Sequence, residues 1–280
     1  MNLFKGRTLL IVTQHGKESV IAPQLTKAFG VKCVLSIGFD TDTLGTFSGE
    51  IERKHDALVT AREKCKQAML MNNCDLAVSS EGSFGAHPTL FFAPADEEIV
   101  MLLDTKNNLE VVAKELSLDT NFNGAAITTE KHFNDFLETV RFPSHGIIIK
   151  KAADDHSGMV KGITDTDMAF QVFTRFINEY GAAYVETDMR AHYNPTRMTV
   201  IEKATVKLIE KIASKCPACE TPGFGITHSV PGLPCSLCNC ATKSTLCHVY
   251  SCQKCHFNEN RFFPRGVTLE DPMFCDRCNP

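Results

Sequence analysis

The chain has 280 residues, of which 43% are hydrophobic and 22% are charged, and its formal net charge at pH 7 is −4. This composition predicts a soluble globular protein with one large and one small domain. The small negative charge excludes a general attraction to nucleic acid or to anionic membranes. No apolar run is long enough to cross a bilayer, and the N-terminus lacks the apolar stretch of a signal peptide. We therefore expect no membrane association and a cytoplasmic location.

Segments typical of strands and of helices alternate over the first three-quarters of the chain. Short apolar runs predict strands, and apolar residues at helical spacing predict helices. The alternation predicts an α/β domain over residues 1–213, with a central mixed sheet flanked by helices. The predicted strands are 8–12, 32–37, 76–78, 89–92, 98–103, 146–150 and 182–186, and the predicted helices are 18–29, 56–72, 107–116, 129–140, 165–180 and 198–213.

The cysteines are concentrated in the last quarter of the chain, where eight of them form four Cys-x-x-Cys pairs. In a reducing cytosol this pattern indicates metal binding rather than disulfides, and two such pairs complete a closed Cys₄ zinc site. Residues 214–280 are therefore predicted to form a small double zinc-ribbon domain with two structural zinc ions. The predicted ligands are Cys216, Cys219, Cys235, Cys238, Cys252, Cys255, Cys275 and Cys278.

The spacing of the four pairs allows two arrangements. Sequential pairing joins the first pair with the second and the third with the fourth. Nested pairing joins the two inner pairs, because a predicted strand at 246–250 enters Cys252 in the manner of a zinc ribbon, and closes the outer pairs around them. Nested pairing is the arrangement we favour, although spacing alone does not decide between them.

Residues 74–88 contain a buried strand followed by a segment rich in glycine and serine. The strand is predicted to end at Val78, and the following turn places Glu81 just beyond it. Ligands of α/β proteins commonly bind at such strand ends. Glu81 is therefore a candidate catalytic residue, with Ser83 and His87 as candidate substrate-binding residues. The plainer alternative is an ordinary junction with a solvated glutamate.

Residues 13–17 connect the first strand to the first helix. Backbone N–H groups at a helix N-terminus and the helix dipole favour an anion there, and Lys17 adds a positive charge. Thr13, His15 and Lys17 are therefore candidate substrate-binding residues. A solvated lysine in the first turn is the alternative.

Three segments together resemble the inosine/xanthosine triphosphatase superfamily of nucleotide pyrophosphatases. They are residues 13–17, the predicted helix 56–65 and the strand-and-turn segment 75–82. The superfamily has a Thr/Ser-x-Asn-x-x-Lys phosphate loop, then a helix opened by an acidic residue, then a strand ending in Glu-Gly-Gly or Asp-Ser-Gly. The resemblance covers about the first third of the chain.

By this resemblance, Lys17 would hold phosphate while Asp56 and Glu81 would lie near a Mg²⁺ ion. His15 stands where the superfamily has asparagine, and Asp56 stands where it has glutamate. The implied chemistry is coherent, because Mg²⁺ prefers a few carboxylates together with phosphate oxygens. Pyrophosphate cleavage also needs little beyond positioning and charge neutralisation.

Over its full length the chain also resembles an uncharacterised bacterial family that ends in a cysteine-rich tail. That family carries no known activity. The shared segments are residues 47–50, 80–88, 121–124, 142–146, 186–191 and 194–198.

The densest polar segment of the chain is residues 186–197. Asp188 lies at the end of a predicted strand, and Arg190 and Arg197 offer the forked geometry that binds phosphate or carboxylate. Asp188 is a candidate catalytic residue, and both arginines are candidate substrate-binding residues. The alternative is structural, with arginine–carboxylate pairs holding the last helix against the sheet.

Two functions follow from these patterns. The first is a metal-dependent hydrolase of a nucleotide or another phosphorylated small molecule. The second is a non-catalytic zinc-ribbon protein whose tail binds nucleic acid or a protein partner. Near-balanced charge in the tail weakens nucleic-acid binding but leaves it open. The acid and lysine pattern of the first domain favours the hydrolase, and the sequence leaves the substrate and the oligomeric state open.

Overall fold

A computed structural model describes residues 3–39 and 55–280 of the chain. The chain divides into two units, Met1–Leu208 and Ile209–Pro280. The boundary after residue 213 stays a prediction. The prediction of an α/β fold with a central mixed sheet and a cysteine cluster near the C-terminus is confirmed. Over the described residues, no helix is both long and apolar enough to cross a membrane.

The N-terminal unit contains a five-stranded mixed sheet. Its strands are β1 (Thr8–Val12), β2 (Lys32–Leu35), β3 (Leu76–Ala86), β4 (Pro94–Asp104) and β5 (Leu109–Ser117), in the order β2-β1-β3-β4-β5. Strand β1 is parallel to β2 and β3, while β3, β4 and β5 form an antiparallel meander. The helices α1 (Glu18–Phe29) and α2 (Ala57–Met71) follow β1 and precede β3.

The two faces of this sheet have different polar contacts. Because side chains alternate along a strand, Ser79 and Glu81 share one face of β3, while Ser80 lies on the other. The first face contacts α2, where Ser79 Oγ donates to the carbonyl of Ala61 and Cys65 lies 3.2 Å from Ser79 Oγ. The opposite face of β3 therefore carries Ser80, and this is the face on which the polar site described below is built.

A second sheet in the same unit has four antiparallel strands. They are β6 (Gly124–Ile127), β7 (Ile147–Lys150), β8 (Val160–Ile163) and β9 (Ala183–Thr187), in the order β6-β9-β7-β8. The helices α3 (Glu130–Thr139) and α4 (Thr166–Tyr180) pack their apolar side chains into its core, where Phe133 and Phe173 stack with ring centroids 4.2 Å apart. The long helix α5 (Pro195–Ala213) follows.

The C-terminal unit is built on a three-stranded antiparallel sheet. Its strands are β10 (Gly225–Pro231), β11 (Thr245–Ser251) and β12 (Asn258–Phe262), in sequence order. Between Cys216 and Pro280, the buried apolar side chains other than cysteine are Pro222, Phe224, Leu233 and Val249. A core this small leaves much of the fold to the cysteine groups.

Three predicted elements are wrong. Residues 89–92 were predicted to be a strand, but they lie in the loop between β3 and β4. Residues 79–85 continue β3 instead of forming a turn, because they pair without interruption with β4. Residues 107–116 were predicted to be helical, but most of this segment belongs to β5. Its alternating burial, with Leu109, Val111 and Ala113 inside, has the period of a strand. The resemblance segment at 47–50 lies outside the described residues.

Candidate metal centres and a buried polar site

Eight cysteines of the C-terminal unit form two groups of four. The sulfur atoms within each group lie within 4.8 Å of one another, and the groups are Cys216, Cys219, Cys252 and Cys255, and Cys235, Cys238, Cys275 and Cys278. The closest sulfur–sulfur distances between pairs are 3.6 to 3.8 Å. Four sulfurs at roughly 2.3 Å from a tetrahedral ion lie about 3.8 Å apart. Each group therefore fits one four-coordinate metal ion.

The Cys-x-x-Cys pairs share a local turn that aims both sulfurs to one side. In three pairs the N–H of the first cysteine donates, over 2.9 Å, to the carbonyl five residues later, at Thr221, Cys240 and Phe257. In the same three pairs the residue after the second cysteine has a positive φ, at Glu220, Asn239 and His256. In the first pair, the Thr221 hydroxyl lies 3.2 Å from the sulfur of Cys219.

The pairing of the cysteines is interleaved, so both the sequential and the nested arrangements are wrong. The first pair joins the third, and the second joins the fourth. The cause is the antiparallel sheet. Gly225, at the start of β10, lies opposite Ser251, at the end of β11, which brings the pair before β10 to the pair after β11. Strand β12 then returns the chain to the other end of the sheet, where the remaining two pairs meet.

Lys17 lies buried at the start of α1 and faces Ser80. Its ammonium group is 3.2 Å from Ser80 Oγ and 3.5 Å from the Ser80 carbonyl oxygen. The side chain is 4% exposed. Burial, followed by the positive charge of Arg197, lowers the pKa of Lys17 to about 8. The parallel pairing of β1 with β3 makes this contact, because Val12 lies opposite Ser79 and the next residues leave β1 beside Ser80.

Arg197, at the start of α5, forms a fully buried ion pair with Glu98 of β4. Its Nε donates to Glu98 Oε1 over 2.6 Å, and neither side chain is exposed. Its Nη1 donates to the carbonyl of Met189, and its guanidinium carbon lies 5.1 Å above the ring of Phe84. The predicted structural alternative for Arg197, a pair that holds the last helix on the sheet, matches this geometry.

Gly82 makes room for this ion pair. Glu98 lies directly opposite Gly82 across the β3–β4 ladder. A Cβ at Gly82 would lie 2.7 Å from Arg197 Nη2 and 2.9 Å from Glu98 Cδ. The glycine is therefore required by the close approach of the guanidinium and not by its backbone conformation.

Asp96, two residues before Glu98 on β4, is a site residue that the sequence reasoning missed. Its side chain is 1% exposed, and among the described residues neither carboxylate oxygen has a hydrogen-bond partner. Burial, followed by the charge of Glu98, raises the pKa of Asp96 to about 8. The signal was present in the sequence as acidic residues within a strongly apolar strand, since a buried carboxylate needs a partner.

His15 and His192 stack beside this group with their ring centroids 5.1 Å apart. Burial and the neighbouring His192 lower the pKa of His15 to about 4, and burial also lowers the pKa of His192. Both rings are therefore neutral at pH 7. Arg190 contributes to the positive potential at His15, and its Nη2 pairs with Asp188 Oδ2 over 2.6 Å. Asp188 is fully buried and also accepts the N–H of Gly162, so it holds Arg190 in place.

Glu81 and Asp56 make contacts with other residues, although the charge of Glu81 also acts on Lys17 and raises its pKa. Glu81 is on the α2 face of β3, where its Oε1 lies 2.5 Å from the ammonium of Lys64. Asp56 caps α2 by accepting the N–H of Val59 over 2.8 Å. Lys17 also follows Thr13 by four residues, one fewer than in the Thr/Ser-x-Asn-x-x-Lys loop of the triphosphatase superfamily.

Ser83 and His87 lie further along the β3–β4 hairpin. Ser83 is exposed, and His87 organises the hairpin loop, where its Nδ1 accepts the N–H of Leu90 over 3.0 Å. Thr13 follows β1, and its hydroxyl is buried. The structure thus brings Lys17, His15, Arg190 and Arg197 close together. The roles of all the candidate site residues in binding or catalysis stay predictions.

These features define an α/β protein with two Cys₄ groups that could hold metal ions. The sequence profile of a family described as a domain of unknown function, DUF6671, matches residues 64–280, and the chain belongs to that family. The matched region includes both Cys₄ groups together with Glu81, Asp96, Glu98 and Arg197, whereas Lys17 precedes it. A comparison with curated proteins finds no significant match.

Proposed function

We propose that both Cys₄ groups hold zinc and that both ions are structural. Four thiolates in a tetrahedron are the donor set that zinc prefers, and they leave no position for a substrate or a water. The purified chain should therefore contain about two zinc ions, measured by elemental analysis. Iron in the folded protein, or one zinc or fewer, would contradict the proposal.

We further propose that the N-terminal unit is a metal-dependent hydrolase of a nucleotide or another phosphorylated small molecule. The observation that carries this proposal is the positive charge gathered around buried Lys17. Burial is the main cause of the lowered pKa values of Lys17 and His15. Arg197 lowers both further and Arg190 lowers that of His15, while Glu98 and Glu81 raise the pKa of Lys17. A bound phosphate would relieve this repulsion, and the N-terminus of α1 would stabilise it further.

Each side chain has a separate role in binding and hydrolysis. Lys17 binds a phosphate oxygen, and Arg190, held by Asp188, neutralises charge that develops on the leaving group. The neutral histidines donate or accept hydrogen bonds to the same phosphate. Mg²⁺ neutralises the phosphate oxygens when it is bound. Glu81 and Asp56 are the cation ligands implied by the triphosphatase resemblance, and a cation at Glu81 has to compete with the ammonium of Lys64 at 2.5 Å.

The experiment uses the full-length, zinc-loaded protein and a panel of nucleoside di- and triphosphates with Mg²⁺. Release of phosphate and pyrophosphate is measured for wild type, Lys17→Met and Lys27→Met. Lys27 is the matched control because it is an exposed lysine at the other end of α1. We expect Lys17→Met to raise KM by a factor on the order of ten or more, because its contact exists in the ground state and the transition state. Lys27→Met should match wild type.

A wild-type protein that hydrolyses nothing on the panel and binds none of its members would remove the enzyme proposal. The alternative, a non-catalytic protein whose C-terminal unit binds a partner, is favoured by one observation. Several large apolar side chains of that unit are more than half exposed, namely Leu237, Phe262, Met273 and Phe274. Such a surface suits a protein partner better than nucleic acid, which requires a basic surface.

A further inference from the structure

Three buried carboxylate oxygens near Lys17 have no hydrogen-bond partner among the described residues. They are both oxygens of Asp96 and Oε2 of Glu98. The two side chains are 1% and 0% exposed, so water does not solvate them. A buried carboxylate without a donor is strongly destabilising unless a cation or a proton satisfies it.

Asp96 and Glu98 face the same side of β4. They are two residues apart on one strand, so their side chains point to the same face with Cα atoms roughly 7 Å apart. Glu98 lies opposite Gly82 and is fixed through Oε1 by Arg197, which leaves Oε2 available. Glu98 raises the pKa of Asp96 through its charge, so the two carboxylates share one electrostatic environment.

From this arrangement we propose that Asp96 and Glu98 bind one divalent cation of the Mg²⁺ or Mn²⁺ type. Such ions take oxygen ligands and are commonly held by one or two carboxylates together with waters and substrate phosphates. A cation on Asp96 Oδ and Glu98 Oε2 would satisfy the three open oxygens. It would lie on the face of the sheet that Lys17 occupies, where the ammonium and the cation could bind one phosphate together.

The competing occupant of Asp96 is a proton. Burial and Glu98 raise its pKa to about 8, and the charges of Arg197 from α5 and Lys17 from the loop before α1 act in the opposite direction. A proton and a divalent ion therefore compete for the same buried oxygens.

This inference deepens the proposed hydrolase, because it names the ligands of its cofactor, and it moves them from Glu81 to β4. Glu81 is already paired with Lys64 at 2.5 Å, whereas no residue in the described part of the chain pairs with Asp96. The cation site can nevertheless be tested without substrate and without turnover. Hydrolysis without cation binding at Asp96 would overturn only the inference. Cation binding without hydrolysis would leave the cation site standing and remove the hydrolase.

The test is a titration of full-length, zinc-loaded protein with Mn²⁺, in which the room-temperature electron paramagnetic resonance signal reports free aqueous Mn²⁺. The variants are Asp96→Asn, Glu98→Gln, Glu81→Gln and the matched control Glu97→Gln. Glu97 lies between the two proposed ligands but on the other face of β4, where it pairs with Lys114. Zinc in the Cys₄ groups is not displaced, because Mn²⁺ binds thiolates far more weakly.

Wild type should bind about one Mn²⁺ per chain, displaced by Mg²⁺. Asp96→Asn and Glu98→Gln should each weaken binding at least tenfold, while Glu97→Gln and Glu81→Gln should bind as wild type does. Far-UV circular dichroism and zinc content verify folding of each variant. Asp96→Asn is the variant compared with wild type if Glu98→Gln, which removes the partner of buried Arg197, does not fold. Absence of Mn²⁺ binding in wild type, or unchanged binding in Asp96→Asn, would overturn the cation site and leave a proton on Asp96.

Discussion

Replacing Cys252 by serine tests the interleaved metal centres most directly. Cys252 is 3% exposed, and its sulfur lies 3.6 Å from that of Cys219 in the first group. The variant leaves that group with three thiolates and leaves the second group intact. We therefore expect the zinc content to fall from about two ions per chain to about one.

The expected loss of stability follows from the small core of the C-terminal unit. Between Cys216 and Pro280, the large buried apolar side chains Phe224, Leu233 and Val249 contribute roughly 1.5–3 kcal/mol each on burial. A structural zinc contributes on the order of 10 kcal/mol or more. Loss of one ion therefore removes at least as much stabilisation as these three side chains supply, and the first group's end of the unit should lose its order.

Alkylation followed by peptide mass spectrometry distinguishes the three possible pairings. In the interleaved arrangement, Cys252→Ser makes Cys216, Cys219 and Cys255 reactive, while the second group stays protected. Nested pairing would instead expose Cys235 and Cys238 with Cys255, and sequential pairing would expose Cys275 and Cys278 with Cys255. Either of the last two patterns would refute the reasoning. Cys247→Ser is the control, because this buried cysteine belongs to neither group and the variant should keep two zinc ions.

Three further predictions concern the buried polar site and the metals. Gly82→Ala should lower the free energy of unfolding by about 2–5 kcal/mol, measured in urea, because its Cβ forces Arg197 from Glu98, whereas Gly85→Ala, with open space around it, should change little. Equal effects of the two would contradict the close approach. Asp96 has a raised folded-state pKa, so its contribution to stability is present below its unfolded pKa near 4 and is lost as the pH rises to about 8. Without added divalent cation, the stability of Asp96→Asn relative to wild type should therefore increase between pH 5 and pH 8, by at most roughly 1.4 kcal/mol per pH unit, and a constant difference would refute the shift. Removal of zinc by a chelator should unfold the C-terminal unit before the N-terminal unit, as followed by limited proteolysis, and simultaneous unfolding would show that the units are not independent.

The sequence patterns predicted most helices and buried strands because each depends on local periodicity. The helix α4 begins and ends within a residue of its predicted limits, since Asp165 caps it and Gly181 ends it in the left-handed conformation. Residues 79–85 were harder, because glycine and serine favour turns locally. Only the nonlocal pairing with β4 keeps them in a strand, and the sequence of β3 does not contain that partner.

The candidate sites show the same limit. The eight metal ligands were predictable because Cys-x-x-Cys is a local motif, but their partners depend on the direction of β10, β11 and β12. Lys17 was predicted from its place at a helix start. Asp96 was missed because the sequence shows acidic residues beside an apolar run but not their partners. Only the sheet shows that Asp96 lies beside Glu98 and that its oxygens have no hydrogen-bond partner among the described residues.

The interleaved pairing also affects how the chain folds while it is being synthesised. The sulfurs of Cys216 and Cys255 that meet in the first group are 39 residues apart, and those of Cys235 and Cys278 in the second group are 43 apart. The pairs at Cys216 and Cys235 are therefore both made before either has its partner. Zinc available at that moment can join these two pairs through a shorter loop, which closes with a smaller loss of entropy. We expect this early zinc complex to delay folding until the thiolates exchange, so a ribosome-bound chain would reach its native state faster when zinc arrives after Cys255.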